Sequence, residues 1–133
     1  MNRTFVALGS SLAFLGVALG AFGTHGLKDR LSPASIEIWK TAVQYHLIHA
    51  LALVFIGLLA SQIQSKNIER AGWLIFAGTI VFAGSLYALA VSGIKWLGAI
   101  TPLGGVCFLA GWLMIAVTVA KYHPNTSPQK NSS

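Results

Sequence analysis

Four stretches without a single charged side chain dominate this sequence: 4–27, 41–65, 71–94 and 96–120, each 24 or 25 residues long. Together they take up 98 of 133 residues. About 20 apolar residues in helix cross a ~30 Å hydrocarbon core, so each stretch is long enough to span a bilayer. A soluble chain this short has too little interior to bury four such helices all round. Only 9% of the residues are charged, against about 25% in a soluble domain. Secreted, nucleic-acid-binding and ordinary cytosolic classes are thereby excluded. The sequence predicts an all-α integral membrane protein: an antiparallel four-transmembrane-helix bundle with spans at about 4–24, 41–62, 71–93 and 102–122. Residues 1–122 form one membrane domain, and the polar, proline-containing stretch 123–133 reads as a disordered tail.

The net charge of +6 does not point to nucleic acid, because the basic residues stand singly at span ends rather than in a patch. Such residues anchor to headgroups and set orientation. With four spans, both termini and the 66–70 link share one side, with Arg3, Lys66, Arg70, Lys121 and Lys130. The other side carries Lys28, Arg30, Lys40 and Lys95. Five against four places both termini in the cytoplasm. The one cysteine, Cys107, lies in the fourth span. No intrachain disulfide can form, and neither a CxxC pair nor an HExxH zinc signature is present.

The first span could be mistaken for a signal peptide, since Arg3 precedes it and Ala21-Phe22-Gly23 loosely resembles a cleavage site. It is longer than the usual 7–15-residue apolar region. Its small residues also step regularly: Gly9, Ala13, Gly16, Gly20 and Gly23, at intervals of 4, 3, 4 and 3. That spacing draws one smooth stripe down a helix and contains a GxxxG, so the segment is expected to be retained as a packed helix. Ser32 then Pro33 is an N-cap followed by proline at the first helical position. A helix from Pro33 to about Gln62 would be roughly 45 Å long, with Trp39 and Lys40 at the interface. Lys66 to Arg70 reads as a tight charged turn, with Trp73 anchoring the third span. Lys95 to Ile100 reads as an interfacial segment, and Thr101-Pro102 as the start of the fourth helix.

Polar residues within the spans concentrate on the second. Glu37, Thr41, Gln44, Tyr45 and His49 share one broad helical face, with His46 at its edge. His25, at the end of the first span, lies on the same side of the membrane, as does the 95–101 segment. Ionisable groups at this depth usually face a bundle interior or a water-filled cavity. His25, Tyr45, His46, His49 and Thr101 are therefore candidates to line one polar cavity opening between the 28–40 and 95–101 segments. Several chemistries remain open. The histidines could bond across the bundle and stitch it together. Their near-neutral ordinary pKa suits a proton or small-molecule site. Three imidazoles could hold a divalent metal, though no acidic or thiolate fourth ligand has matching spacing. His25 facing His46 or His49 could clamp a haem. Ser85 and Ser92 share a face with Gly78, a packing stripe first; Tyr87 and Trp112, mid-span, read as packing groups. No catalytic set and no metal set is assigned, and no cofactor.

Gly20-Ala21-Phe22-Gly23-Thr24-His25-Gly26-Leu27, Trp39-Lys40-Thr41-Ala42-Val43-Gln44-Tyr45-His46 and His49-Ala50-Leu51-Ala52-Leu53 together resemble the small inner-membrane proteins grouped as domain of unknown function 423. Eukaryotic relatives of that group are called transmembrane protein 256. Gly84-Ser85-Leu86-Tyr87, the run Leu97 to Gly105, and Gly111-Trp112 extend the resemblance over residues 5–120. Thr24 departs from it, where alanine is usual. The resemblance implies a multi-pass plasma-membrane protein and brings no activity, cofactor or catalytic residue with it. Three functions stay in view. One is a non-enzymatic membrane component or assembly partner, perched in the lipid bilayer as a homo-oligomer or beside other membrane proteins. The second is a small proton-linked transporter or channel subunit, although Asp29, Glu37 and Glu69 all lie outside the apolar runs. The third is a haem-, quinone- or metal-binding redox subunit.

Overall fold

Asn2, Ser32 and Ser65 each offer a side-chain oxygen to a backbone N–H in the turn that follows, at 3.3, 3.1 and 3.2 Å. Three of the four helices in the computed structural model start at these caps, which satisfy donors that hydrocarbon cannot. The structure describes residues 1–124: α1 (Arg3–His25), α2 (Pro33–Gln62), α3 (Lys66–Ser92) and α4 (Leu97–Ala120). All four are long and apolar enough to cross a membrane. Their connections are short, which makes successive helices antiparallel. Gly93 ends α3 at φ 69°, the left-handed position where a side chain would be strained. Beyond residue 124, the expected polar tail lies outside the described residues.

Two helix starts differ from the sequence expectation. Lys66 to Arg70 is not a turn but the opening of α3, and the chain reverses within Ile63 to Ser65. The Ser65 cap and Glu69 in the first turn favour helix there, and Ile68 in the same stretch is fully buried. Likewise α4 starts at Leu97, five residues before Pro102. Its first N–H groups bond three residues back, Leu97 to Ile94, Gly98 to Lys95 and Ala99 to Trp96, a tighter winding than α-helix. Pro102 therefore sits inside the helix, at the cost of one main-chain bond. Thr101 does not cap it.

Packing follows chain order, α1 on α2, α2 on α3 and α3 on α4. Glycines set how closely these pairs approach. A Cβ on Gly9 would lie 2.6 Å from the Ala50 carbonyl oxygen, and one on Gly16 2.6 Å from Leu47. Gly23 abuts the Trp39 indole, and Gly20 is slightly looser, 3.2 Å from Val43. The stripe expected on α1 is thus its contact face with α2; Ala13, within it, is half-buried. The α3–α4 seam is similar. Gly104 meets the Phe82 main chain, where a Cβ would come within 2.5 Å of its nitrogen, and Gly111 meets Ile75. On α4 the buried residues Gly104, Phe108, Gly111 and Ile115 repeat the 4-3-4 step.

Two apolar clusters result. One joins Phe5, Leu53, Ile56, Ile68, Ile75, Phe108 and Ile115; the Phe5 ring fills the hollow over Gly72. The other, toward the opposite end of α2, gathers Leu27, Trp39 and Ala90. Outward residues such as Phe14, Val17, Leu103 and Leu109 stay exposed, as suits faces left for acyl chains. Gly104→Leu should lower the melting temperature of the detergent-solubilised protein, because main chain rather than a movable side chain blocks the added atoms. Gly84 has nothing within 4 Å of a Cβ, so Gly84→Ala should leave the melting temperature unchanged or raise it, by up to about 1 kcal/mol of helix propensity. Equal losses in both variants would refute this account of the seam.

Candidate functional site

Between the two apolar clusters, α2 carries its two buried histidines, His46 and His49, 3% and 5% exposed. They stand three positions apart, about 60° round the helix at 100° per residue, and this separation sends them into different seams. His49 turns toward α4. Its Nδ1 lies 2.8 Å from the Tyr45 carbonyl oxygen, and the Trp112 indole N–H donates to its Nε2 at 3.0 Å. A carbonyl only accepts and an indole only donates, so His49 must be the neutral tautomer with its proton on Nδ1. The ring also stacks on Phe108, centroids 3.6 Å apart and planes 10° off parallel. Both nitrogens of this imidazole and the face against Phe108 are thus engaged.

His46 faces the α1–α3 side instead. Its Nδ1 lies 2.9 Å from the Tyr87 hydroxyl, and its ring edge is 3.4 Å from where a Gly16 Cβ would stand. Its Nε2 is buried with no hydrogen-bond partner. Tyr87 in turn packs on Trp39, centroids 4.7 Å apart, and the Trp39 indole N–H donates to the Leu19 carbonyl at 2.9 Å. A fourth tie joins α3 to α4, where the Ser85 and Thr101 hydroxyls lie 2.6 Å apart.

The five candidates therefore do not gather round one cavity. His25 is exposed at the end of α1, nine residues or about 13 Å along the axis from the Gly16 level that His46 occupies. Tyr45 is 38% exposed and lays its ring on Phe82, centroids 4.6 Å apart, lending His49 its carbonyl rather than its hydroxyl. Thr101 serves Ser85. No group of three His, Cys, Asp or Glu residues that could hold a metal occurs among the described residues. Tyr87 and Trp112, read from the sequence as packing groups, are the hydrogen-bond partners of the two histidines. Nothing local could have revealed those pairs, since their members lie 41 and 63 residues apart.

A cleft does open on the side expected, but between the end of α1 and the start of α2. It encloses about 520 Å³ and is lined by Gly20, Gly23, Ile36, Trp39 and Val43, with Thr24, Lys28, Lys40 and Gln44 among its other lining residues. The 95–101 segment takes no part in it.

Four long apolar helices with their polar side chains tied to one another define a multi-pass helical membrane protein. Residues 19–105 match the family model described as "Protein of unknown function (DUF423)", and the chain belongs to that family. It is 48% identical over 121 residues to the UPF0382 membrane protein YwdK of Bacillus subtilis (strain 168), covering 90% of this chain and 98% of that protein. With the UPF0382 membrane protein SH2409 of Staphylococcus haemolyticus it shares 45% identity over 120 residues, with the same coverage of both chains. With SAUSA300_0565 of Staphylococcus aureus (strain USA300), also a UPF0382 membrane protein, identity is 47% over 120 residues. No solved structure matches the chain.

Trp112→Phe should destabilise the protein by about 1 kcal/mol, since intramembrane side-chain hydrogen bonds average about 0.6 and reach about 1.7 kcal/mol. In a double-mutant cycle, His49→Ala and Trp112→Phe should be coupled by a similar amount, read from unfolding in mixed micelles. Strict additivity would show that the bond carries no stability.

Proposed function

We propose that this protein is a non-enzymatic component of the cell membrane, an accessory or assembly partner with both termini in the cytoplasm. The observation that carries this reading is the bonding of His49. Both of its ring nitrogens are committed within the bundle, so it can neither ligate a metal nor accept a proton without breaking the Trp112 bond. The Tyr87 hydroxyl engages only Nδ1 of His46, and this pair and Ser85–Thr101 also hold helices together. What remains for interaction is the exterior: exposed apolar faces on α1 and α4 and basic residues at the span ends. The cytoplasmic placement of the termini rests on the five-to-four distribution of Lys and Arg.

Complementation of a deletion strain tests the role. His46→Gln and His49→Gln should lose rescue only as far as they lose folded protein. A His49→Gln variant that is as stable and abundant as the parent yet fails to rescue would overturn the reading. A proton-linked carrier is favoured by one observation, the unpartnered Nε2 of His46. Liposomes containing the purified protein should show no proton flux above empty liposomes; a flux abolished by His46→Gln would establish the carrier instead. For topology, alkaline phosphatase fused after Ser133 should be inactive and a fluorescent protein fused there bright. The opposite pattern would invert the orientation.

A further inference from the structure

The cleft between α1 and α2 lies apart from the bonds of His46 and His49, although its Trp39 wall is tied to α1 through the Leu19 carbonyl, and its two chemical halves differ. Its inner wall is apolar: Ile36, Val43 and the Trp39 indole beside Gly20 and Gly23, which the indole and Val43 approach closely. Its polar lining comes from Thr24, Lys28, Lys40 and Gln44, all exposed. The volume of about 520 Å³ is within the ~300–1,000 Å³ of small-ligand sites. The wall is also preformed. Trp39 is held by its bond to the Leu19 carbonyl and by tilted and edge contacts with Tyr87 and Phe22, so the apolar wall need not be ordered on binding and only the exposed lysines must be.

Depth gives the cleft its meaning. Lys28 lies in the link between the helices, and Lys40 borders the second apolar stretch beside Trp39, the level of a headgroup zone. Gly20, Val43 and Gln44 continue about one turn further into the hydrocarbon. An occupant must then be anionic at the surface and apolar below it. Both carboxylates near this rim, Asp29 and Glu37, lie outside the lining. Glu37 meets Lys40 at 3.4 Å with both side chains largely in solvent, a pairing weak enough to yield to a phosphate.

We infer that this cleft binds one anionic phospholipid of the surrounding leaflet, with its phosphate at Lys28 and Lys40 and an acyl chain against Gly20, Gly23 and Val43. This goes beyond the proposed accessory role and stands whether or not that role is right. Basic side chains near a membrane surface each favour an anionic headgroup by an amount that, for two lysines, corresponds to on the order of tenfold or more in affinity.

The test is native mass spectrometry of the full chain, titrated from detergent with phosphatidylglycerol or phosphatidylcholine of identical acyl chains. The first bound lipid should show a preference for phosphatidylglycerol of about tenfold or more. In Lys28→Gln/Lys40→Gln the preference should fall to within about twofold. Thr24→Trp, which keeps both charges but fills the mouth of the cleft, should weaken that first site as well; melting temperature checks that each variant is folded. Equal retention of the two lipids overturns the inference, as does a preference that survives the double substitution. A preference lost with the lysines but untouched by Thr24→Trp means attraction at the surface only, which also overturns it. So does tighter binding of a single-chain fatty acid, which would make the occupant a free amphipathic anion.

Discussion

Lipid tails are as apolar as leucine, so two helices in a bilayer gain nothing by hiding apolar surface from water. They must gain by touching closely. In this protein the close approach is made by glycine on nearly every seam: Gly9 and Gly16 on α1, Gly57 on α2, Gly72 and Gly78 on α3, Gly104 and Gly111 on α4. Each brings main chain, a ring or an aliphatic side chain to a distance that a Cβ would forbid. The larger side chains then settle into the spaces so formed, Phe5 over Gly72 and Phe108 over Gly78.

Polar ties add direction to this packing. A smooth helix face can rotate or slide against its neighbour at small cost, whereas a hydrogen bond fixes both. The bond from Trp112 to His49 sets α4 against α2, His46 with Tyr87 sets α2 against α3, and Ser85 with Thr101 sets α3 against α4. Because acceptors are scarce in hydrocarbon, each pair specifies one register and penalises the others.

The sequence made the spans legible, because charge is too costly in hydrocarbon to be scattered. It also marked both ends of α2, through Ser32-Pro33 and the polar residues after Ala60, and the α1 stripe, through its spacing. The starts of α3 and α4 were misread for one reason: charged and interfacial residues at the headgroup level need not leave the helix. Lys66, Glu69 and Arg70 lie in the first turns of α3, and Trp96 stands just before α4 without a side-chain capping bond. The sequence groups the histidines on one side of α2, and the structure sends them to different neighbours, His46 to Tyr87 and His49 to Trp112. Sixty degrees of rotation is small on a helical wheel, yet it decides which neighbour a side chain meets, and a wheel does not say where the neighbours stand. The cleft was hidden similarly. Gly20 and Gly23 read as part of the stripe and Trp39 and Lys40 as interfacial anchors, and only the approach of α1 to α2 makes them line one space.

The order of packing has a consequence for biogenesis. Every extensive interface joins helices consecutive in the chain, so each segment leaving the ribosome finds its main partner already in the bilayer. No span must wait for a distant one, and little apolar or polar surface stands idle during synthesis. Among the smaller contacts between non-consecutive helices is the hydrogen bond from Trp112 on the last helix back to His49 on the second. Until α4 arrives, the Nε2 of His49 has no donor from that helix. Completion of translation thus doubles as the closing of a latch, since a chain stalled before residue 112 lacks the indole donor that His49 Nε2 accepts from.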